Sequence, residues 1–340
     1  MAKLSQPPKL SLLWQASLDD HVIALAWSPD GSRIAAASVS GPIHIYQATD
    51  GVLKYTLPGH GFGTTCLSWQ PDGNLIASSG QDGKVRLWDG AKGTAAGILD
   101  ADAPWAERVV WSPKGDYLVS AAGKKLRLWN DQGELVRSFA DLPSTVADVK
   151  WAPKGKEFAS IGFGGPCFWS PEADALLRQF SWKGSALVLA WSPDGKCLVG
   201  GAQDASVHFW YVKDGKDLEM SGYPRKVREL AWDSTSTYIA SGGGQLVTVW
   251  DCSGKGPAGS KPISFALHEE PLSALAFQHK GVLLASACAG GKLALWYPGG
   301  AKRVLSEAKI EDGISQIAWA PNDSRIAIGG ESGFVGVMSV

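Results

Sequence analysis

The sequence predicts an all-β fold, a closed β-propeller built from four-stranded antiparallel blades. Two observations predict it. An aromatic residue recurs just ahead of Pro/Gly turns at Trp27, Trp69, Trp111, Trp151, Trp191, Trp232, Phe277 and Trp319, with successive spacings of 42, 42, 40, 40, 41, 45 and 42. A second aromatic follows each of the first seven by 18 or 19 residues, at Tyr46, Trp88, Trp129, Trp169, Trp210, Trp250 and Trp296, and Met338 holds that place in the eighth copy. Each period has room for four short strands, and no helical stretch intervenes, which is the pattern of a propeller blade.

Each copy reads the same way from start to end. An alternating apolar segment such as VIALAW (22–27) is the first strand. A turn such as SPDG (28–31) or APKG (152–155) follows, where Pro and Gly supply the required backbone angles. A strand of small residues comes next, as in LIASS (75–79) or YIASG (238–242). A Gly-containing turn then leads to KVRLW (84–88) or LVTVW (246–250), the third strand. A looser fourth segment, such as VLKYTL (52–57) or ELVRSF (134–139), precedes the next copy. The blade motifs start near residues 22, 64, 106, 146, 186, 227, 272 and 314 of a single propeller spanning 1–340.

Eight motifs predict eight blades, with seven the alternative. The chain ends at Val340, just after the third strand of the last copy, so residues 9–16 (KLSLLWQA) are available to complete that sheet. Such pairing would cover edges that otherwise invite aggregation.

The repeated LIASSGQDGKVRLWD pattern (75–89) resembles the WD-repeat, or WD40, β-propeller family, and the resemblance runs along essentially the whole chain. Trp-Asp itself occurs in two copies, Trp88-Asp89 and Trp250-Asp251, with Trp129-Asn130 a near match. The resemblance implies closure by the N-terminal strand. It also implies a structural tetrad of His, Ser or Thr, Asp and Trp, complete here in the second copy as His60, Ser78, Asp82 and Trp88. The fifth copy has Trp182 at the His position and the sixth has Tyr223. The seventh keeps His268, Ser286 and Trp296 but has Gly290 where Asp would stand. Most blades are therefore expected to rely on apolar stacking.

Composition narrows the function. Lys+Arg is 32 and Asp+Glu is 33, so no global charge points to nucleic acid or an anionic membrane. No run of 18 apolar residues predicts a transmembrane helix, and MAKLSQPPKL lacks the apolar stretch of a secretion leader, so a cytoplasmic protein is expected. The five cysteines form no C-x-x-C pair, which disfavours zinc ribbons and a disulfide framework. GKGPAGSK (254–261) carries Ser-Lys in the reverse of the phosphate-loop order, IGFGGPCF (161–168) does not match a dinucleotide fingerprint, and GGESGF (329–334) is no nucleophile elbow. No catalytic motif and no cofactor are expected. Local basic residues such as Lys124, Lys125 and Arg127 are the weak basis for a nucleic-acid reading.

What the repeat leaves over is the candidate site. Of 16 Trp, seven hold the first-strand register and six the third. Trp14 lies on the closing strand, Trp182 at a His position, and only Trp105 has no packing role. Trp105 and Phe62 occupy similar places in the loops leading into first strands, a face on which the resemblance implies partner binding. The same kind of loop carries Asp19, Asp20, Glu269, Glu270, Glu311 and Asp312, which should form one acidic arc, while the sixth loop carries Arg225, Lys226 and Arg228. The expected function is a non-enzymatic protein-protein interaction scaffold that binds a peptide or loop, one bearing Lys or Arg, on that face. The alternative is a metal or enzymatic site where His21 and His268 join these carboxylates.

Overall fold

In the computed structural model, which describes residues 8–254, 256–300 and 304–340, the chain is an eight-bladed β-propeller. It has eight four-stranded antiparallel sheets and, among the described residues, no helix. Residues 1–7, read above for a leader, and Lys255 of the GKGPAGSK stretch lie outside the described residues. Blades 1 to 7 begin at Val22, Thr64, Arg108, Asp148, Ala186, Leu230 and Leu272, and blade 8 at Ile314. Three of these starts fall later than the sequence pattern implies. Ahead of them Ala106, Val146 and Val227 give their N–H groups to Gly80, Gly123 and Ala202 of the preceding blade, at 3.0, 2.8 and 3.1 Å. That backbone is spent on stitching blades together, so it cannot enter its own sheet.

The closing strand is Ser11–Ser17 rather than 9–16. It pairs antiparallel with Phe334–Ser339, from Ser11 opposite Ser339 to Ser17 opposite Phe334, and is the fourth strand of blade 8. A register shift between Leu12 and Trp14 sets Trp14 opposite Val337.

The chain forms two compact units, a central one of 23–191 and a terminal one of 1–22 with 192–340. In each, the core lies between successive sheets. In the central unit Ile43, Ile45 and Leu57 of blade 1 interleave with Trp69, Ile76 and Trp88 of blade 2. In the terminal unit Leu293 and Leu295 of blade 7 meet Ile326, Ile328 and Met338 of blade 8. Second strands are small and fully buried, as in Ala35–Ala37, because a neighbouring sheet lies close against them. Three first-strand indoles bridge blades: Trp151, Trp191 and Trp319 donate to the carbonyls of Val110, Lys150 and Ala276, at 3.2, 3.1 and 2.9 Å. Buried Asp148 adds a polar tie in the central unit, accepting from the Leu189 N–H at 2.9 Å with Arg108 Nε at 3.4 Å.

Candidate functional site: lead-in loops and the side chains they display

Residues that hold the scaffold must be separated from those it displays. In blade 2, His60 Nδ1 meets Asp82 Oδ1 at 2.8 Å, His60 Nε2 meets Ser78 Oγ at 2.8 Å, and the Trp88 indole donates to Ser78 Oγ at 2.9 Å. Arg86 also donates to Asp82, at 3.0 Å. Burial holds the His60 imidazole below its ordinary pKa. Burial works against ionised Asp82 as well, but hydrogen bonds from His60 and Arg86 outweigh it and hold that carboxyl below the usual range.

Elsewhere the Trp edge is less dependent on stacking than the sequence implied. Trp129, Trp169 and Trp296 donate to Ser120, Ser160 and Ser286 at 3.0, 2.9 and 2.8 Å. In blade 6, Trp250 donates to the Tyr223 hydroxyl at 3.0 Å, which in turn meets Ser241 Oγ at 2.7 Å, so a tyrosine stands in for the imidazole. A buried indole N–H needs an acceptor, and a serine nine or ten residues earlier supplies it without any histidine. That serine spacing was visible in the sequence.

Blade 7 is an incomplete version of blade 2. His268 Nε2 meets Ser286 Oγ at 2.7 Å, but with Gly290 at the Asp position the buried Nδ1 has no partner among the described residues. Burial, assisted by the Lys292 charge, pushes this imidazole down to about 4. The folded state therefore binds the proton less readily than the unfolded chain, whose His titrates near 6.5. The resulting stabilisation is complete above pH ~6.5 and is lost as pH falls toward 4, up to about 3 kcal/mol in all. Urea unfolding at pH 7, 5.5 and 4.5 should show wild type losing stability faster than His268→Gln over that window. Parallel curves would refute it.

The predicted acidic residues lie in the terminal unit, on lead-in loops joined in sequence by backbone hydrogen bonds. Ala289 donates to Pro271, Ile310 to Gly291, Glu331 to Gly313 and Leu18 to Gly333, at 3.1, 2.9, 2.7 and 2.8 Å. The loops bearing Glu269 and Glu270, Glu311 and Asp312, and Asp19 and Asp20 are thus contiguous. Gly333 allows this: its φ is +95°, and a Cβ there would lie 2.1 Å from the Leu18 carbonyl oxygen. Two of the six carboxylates serve the loops themselves. Asp312 accepts from the N–H groups of Ser332 (2.9 Å) and Phe334 (3.2 Å), and Asp20 from that of His21 (2.7 Å). Asp19, Glu269, Glu270 and Glu311 are exposed, as is Glu331, which sequence reading missed because it sits in a turn between strands. Among the described residues none of these carboxylates is in an ion pair. Arg225 is on the lead-in loop of blade 6, exposed, with its N–H on the Gly243 carbonyl at 2.9 Å.

In the central unit Phe62 is 76% and Trp105 59% exposed. Their loops flank one turn of blade 2: Gln81 donates to Gly63 at 3.0 Å, and Ala106 to Gly80 at 3.0 Å. Phe163, in a turn of blade 4, is 60% exposed and was not singled out from sequence. The basic residues Lys125 and Arg127 are paired with Asp102, at 2.6 and 2.9 Å.

The family profile described as "WD domain, G-beta repeat" matches residues 14–46, 51–89, 103–130, 177–211 and 218–251. The chain belongs to the WD-repeat family. The profile leaves the first three strands of blade 4 and all of blades 7 and 8 of this WD-repeat chain unmatched, although these blades form the same four-stranded sheets and blade 7 keeps its His-Ser-Trp contacts. Similar curated proteins include Protein FIZZY-RELATED 2 of Arabidopsis thaliana, 23% identical over 299 residues, covering 85% of this chain and 52% of the relative. WD repeat-containing protein slp1 of Schizosaccharomyces pombe is 30% identical over 102 residues, 28% of this chain and 21% of the relative. Coronin-2A of Bos taurus is 28% identical over 141 residues, 38% and 27%. The chain thus spans 21% to 52% of the length of these relatives. The crystal structure of the computationally designed Ika8 protein matches with a TM-score of 0.83 at 20% identity, covering 98% of this chain and 100% of that one, a likeness of fold alone.

Among the described residues of this WD-repeat chain, no group of three or more His, Cys, Asp or Glu is placed to hold a metal ion. The five cysteines are free thiols, and burial pushes Cys167 and Cys197 up to about 11 and Cys252 to about 12, away from thiolate chemistry.

Proposed function

We propose that this WD-repeat chain is a non-enzymatic protein-interaction scaffold that takes a Lys/Arg-bearing peptide or loop on its acidic lead-in loops. The observation that carries the reading is the contiguous row of exposed carboxylates, Asp19, Glu269, Glu270, Glu311 and Glu331, with no cation paired to any of them among the described residues. A row of one sign speeds the encounter with an oppositely charged segment and orients it. In the central unit, Phe62 and Trp105 offer aromatic anchors of the kind that dominate interfaces. Five free thiols accord with a reducing, cytoplasmic setting.

The test is fluorescence anisotropy with a labelled ten-residue peptide of alternating Lys, Arg and Ser. The Glu269→Lys/Glu311→Lys variant should bind it at least tenfold more weakly, with a shallower salt dependence and an unchanged unfolding temperature. Unaltered affinity would remove the arc from the function. Trp105→Ala should weaken capture of the native partner from cells at least tenfold, and retained capture would return Trp105 to a surface residue without a task.

A further inference from the structure

Blade 6 differs from blade 2 at the turn between its second and third strands. Where blade 2 has Gln81 and Asp82, blade 6 has Gly243 and Gly244, preceded by Gly242, so the turn has no side chain ahead of Gln245. It is held against the lead-in loop by hydrogen bonds from its backbone and by close packing. Arg225 N donates to Gly243 O at 2.9 Å, a Cβ on Gly244 would lie 2.5 Å from Pro224 Cγ, and one on Gly243 would lie 2.9 Å from Val227. The bare turn leaves a groove of about 260 Å³ in the terminal unit. Leu246, just ahead of the third strand, and Thr248 and Trp250 on it line the groove, with Tyr223, Pro224 and Pro262 around them. Leu246 is 48% exposed there. The volume is below the ~300–1,000 Å³ that takes a drug-sized ligand, and suits one or two side chains of an extended chain.

Cations adjoin the lining residues Pro224 and Pro262 in sequence. Arg225, Lys226 and Arg228 are exposed on the lead-in loop, and Lys261 is exposed next to Pro262. Among the described residues none of the four is in an ion pair. The neighbouring acid Glu229 is half-buried and its carboxylate accepts from the Gly243 N–H at 3.3 Å; burial pushes its pKa up. Other carboxylates are near: Asp217 and Glu219 on the preceding outer strand, and Glu269 on the next lead-in loop, whose carbonyl accepts from Gln245 of the turn. A comparable groove of about 310 Å³ in blade 4 has Asp141 and Asp174 in its lining, the opposite sign.

We propose that the blade 6 groove docks an acidic peptide segment, which seats one apolar side chain or Leu-Pro pair on Leu246 and Trp250 and lays flanking carboxylates against Arg225, Lys226, Arg228 and Lys261. An apolar anchor in a pocket with a charged rim divides the labour as protein interfaces do: the pocket supplies affinity, the rim orientation and rate. The groove has its own partner chemistry, opposite to that of the acidic arc, so it stands or falls separately.

The probe is a fluorescein-labelled nine-residue peptide with a central Leu-Pro flanked by Asp and Glu, titrated with the full chain at 50 and 200 mM NaCl. Saturable binding is expected, weaker at the higher salt. Arg225→Glu/Arg228→Glu should weaken it at least tenfold. Thr248→Trp, which fills the groove from the third strand, should do the same without changing charge. Replacing the Leu-Pro of the peptide with Ala-Ala should cost at least fivefold. Asp19→Lys/Glu311→Lys, which reverses charge on the arc's other two loops, should leave this affinity within twofold of wild type, which separates the result from that of the arc. No saturable binding, equal binding by the Arg or Thr248 variants, or equal binding of the Ala-Ala peptide would overturn the proposal.

Discussion

Truncating both anchors of the closing strand, Leu10→Ala with Trp14→Ala, is expected to destabilise the protein by roughly 5 kcal/mol or more, since buried Leu→Ala costs about 2–5 and buried Trp→Ala about 3–5 kcal/mol. Both side chains are 8% exposed, and Leu10 belongs to the core cluster of blades 7 and 8. The strand they secure runs along the whole of Phe334–Ser339. Once it is released, that edge presents unpaired N–H and C=O groups beside the apolar side chains Val335, Val337 and Met338. The double variant should therefore unfold at lower urea and also scatter light at micromolar concentration under native conditions. Wild-type stability without scattering would mean that the closing strand is dispensable.

Trp88→Ala should cost about 3–5 kcal/mol. The ring is 2% exposed and packs in the core between blades 1 and 2. Its indole N–H is one of two groups on Ser78 Oγ, the other being His60. Trp88→Phe keeps most of the apolar volume and loses only the N–H, so about 1 kcal/mol is expected for the hydrogen bond, and somewhat more once the imperfect fit of the smaller ring is added. Urea unfolding of the two variants separates packing from polarity. If both cost the same, the hydrogen-bonded chain from Trp88 to Asp82 matters more than burial.

The repeat was legible because each blade needs the same things of its sequence: a large ring on the first strand, small residues on the second, a ring on the third, and glycine where the turn demands it. Single-chain periodicity reports all of these. What it reports poorly is whatever depends on a neighbouring blade. Ala106, Val146 and Val227 read as strand, yet their N–H groups go to the sheet before. Leu246 reads as an ordinary third-strand apolar residue, and its exposure follows from three glycines that place nothing over it. The acidic loops could be lined up by blade number, but Glu331 joins them from a turn that the loop count passed over. The serines under Trp129 and Trp169 stand nine residues ahead of each ring, a spacing that the sequence carries without any histidine.

The pairing of Ser11–Ser17 with Phe334–Ser339 also sets a timetable. The two partners are separated by more than 300 residues, which a ribosome adding about 5–20 residues per second takes roughly 15 to 60 s to synthesise. For that whole interval the first strand, with Leu12, Leu13 and Trp14, has no mate, while later sheets emerge and begin to stack. Phe334–Ser339 must be made before that sheet can be completed, so the nascent chain is a natural client for chaperones that shield apolar segments at the tunnel exit.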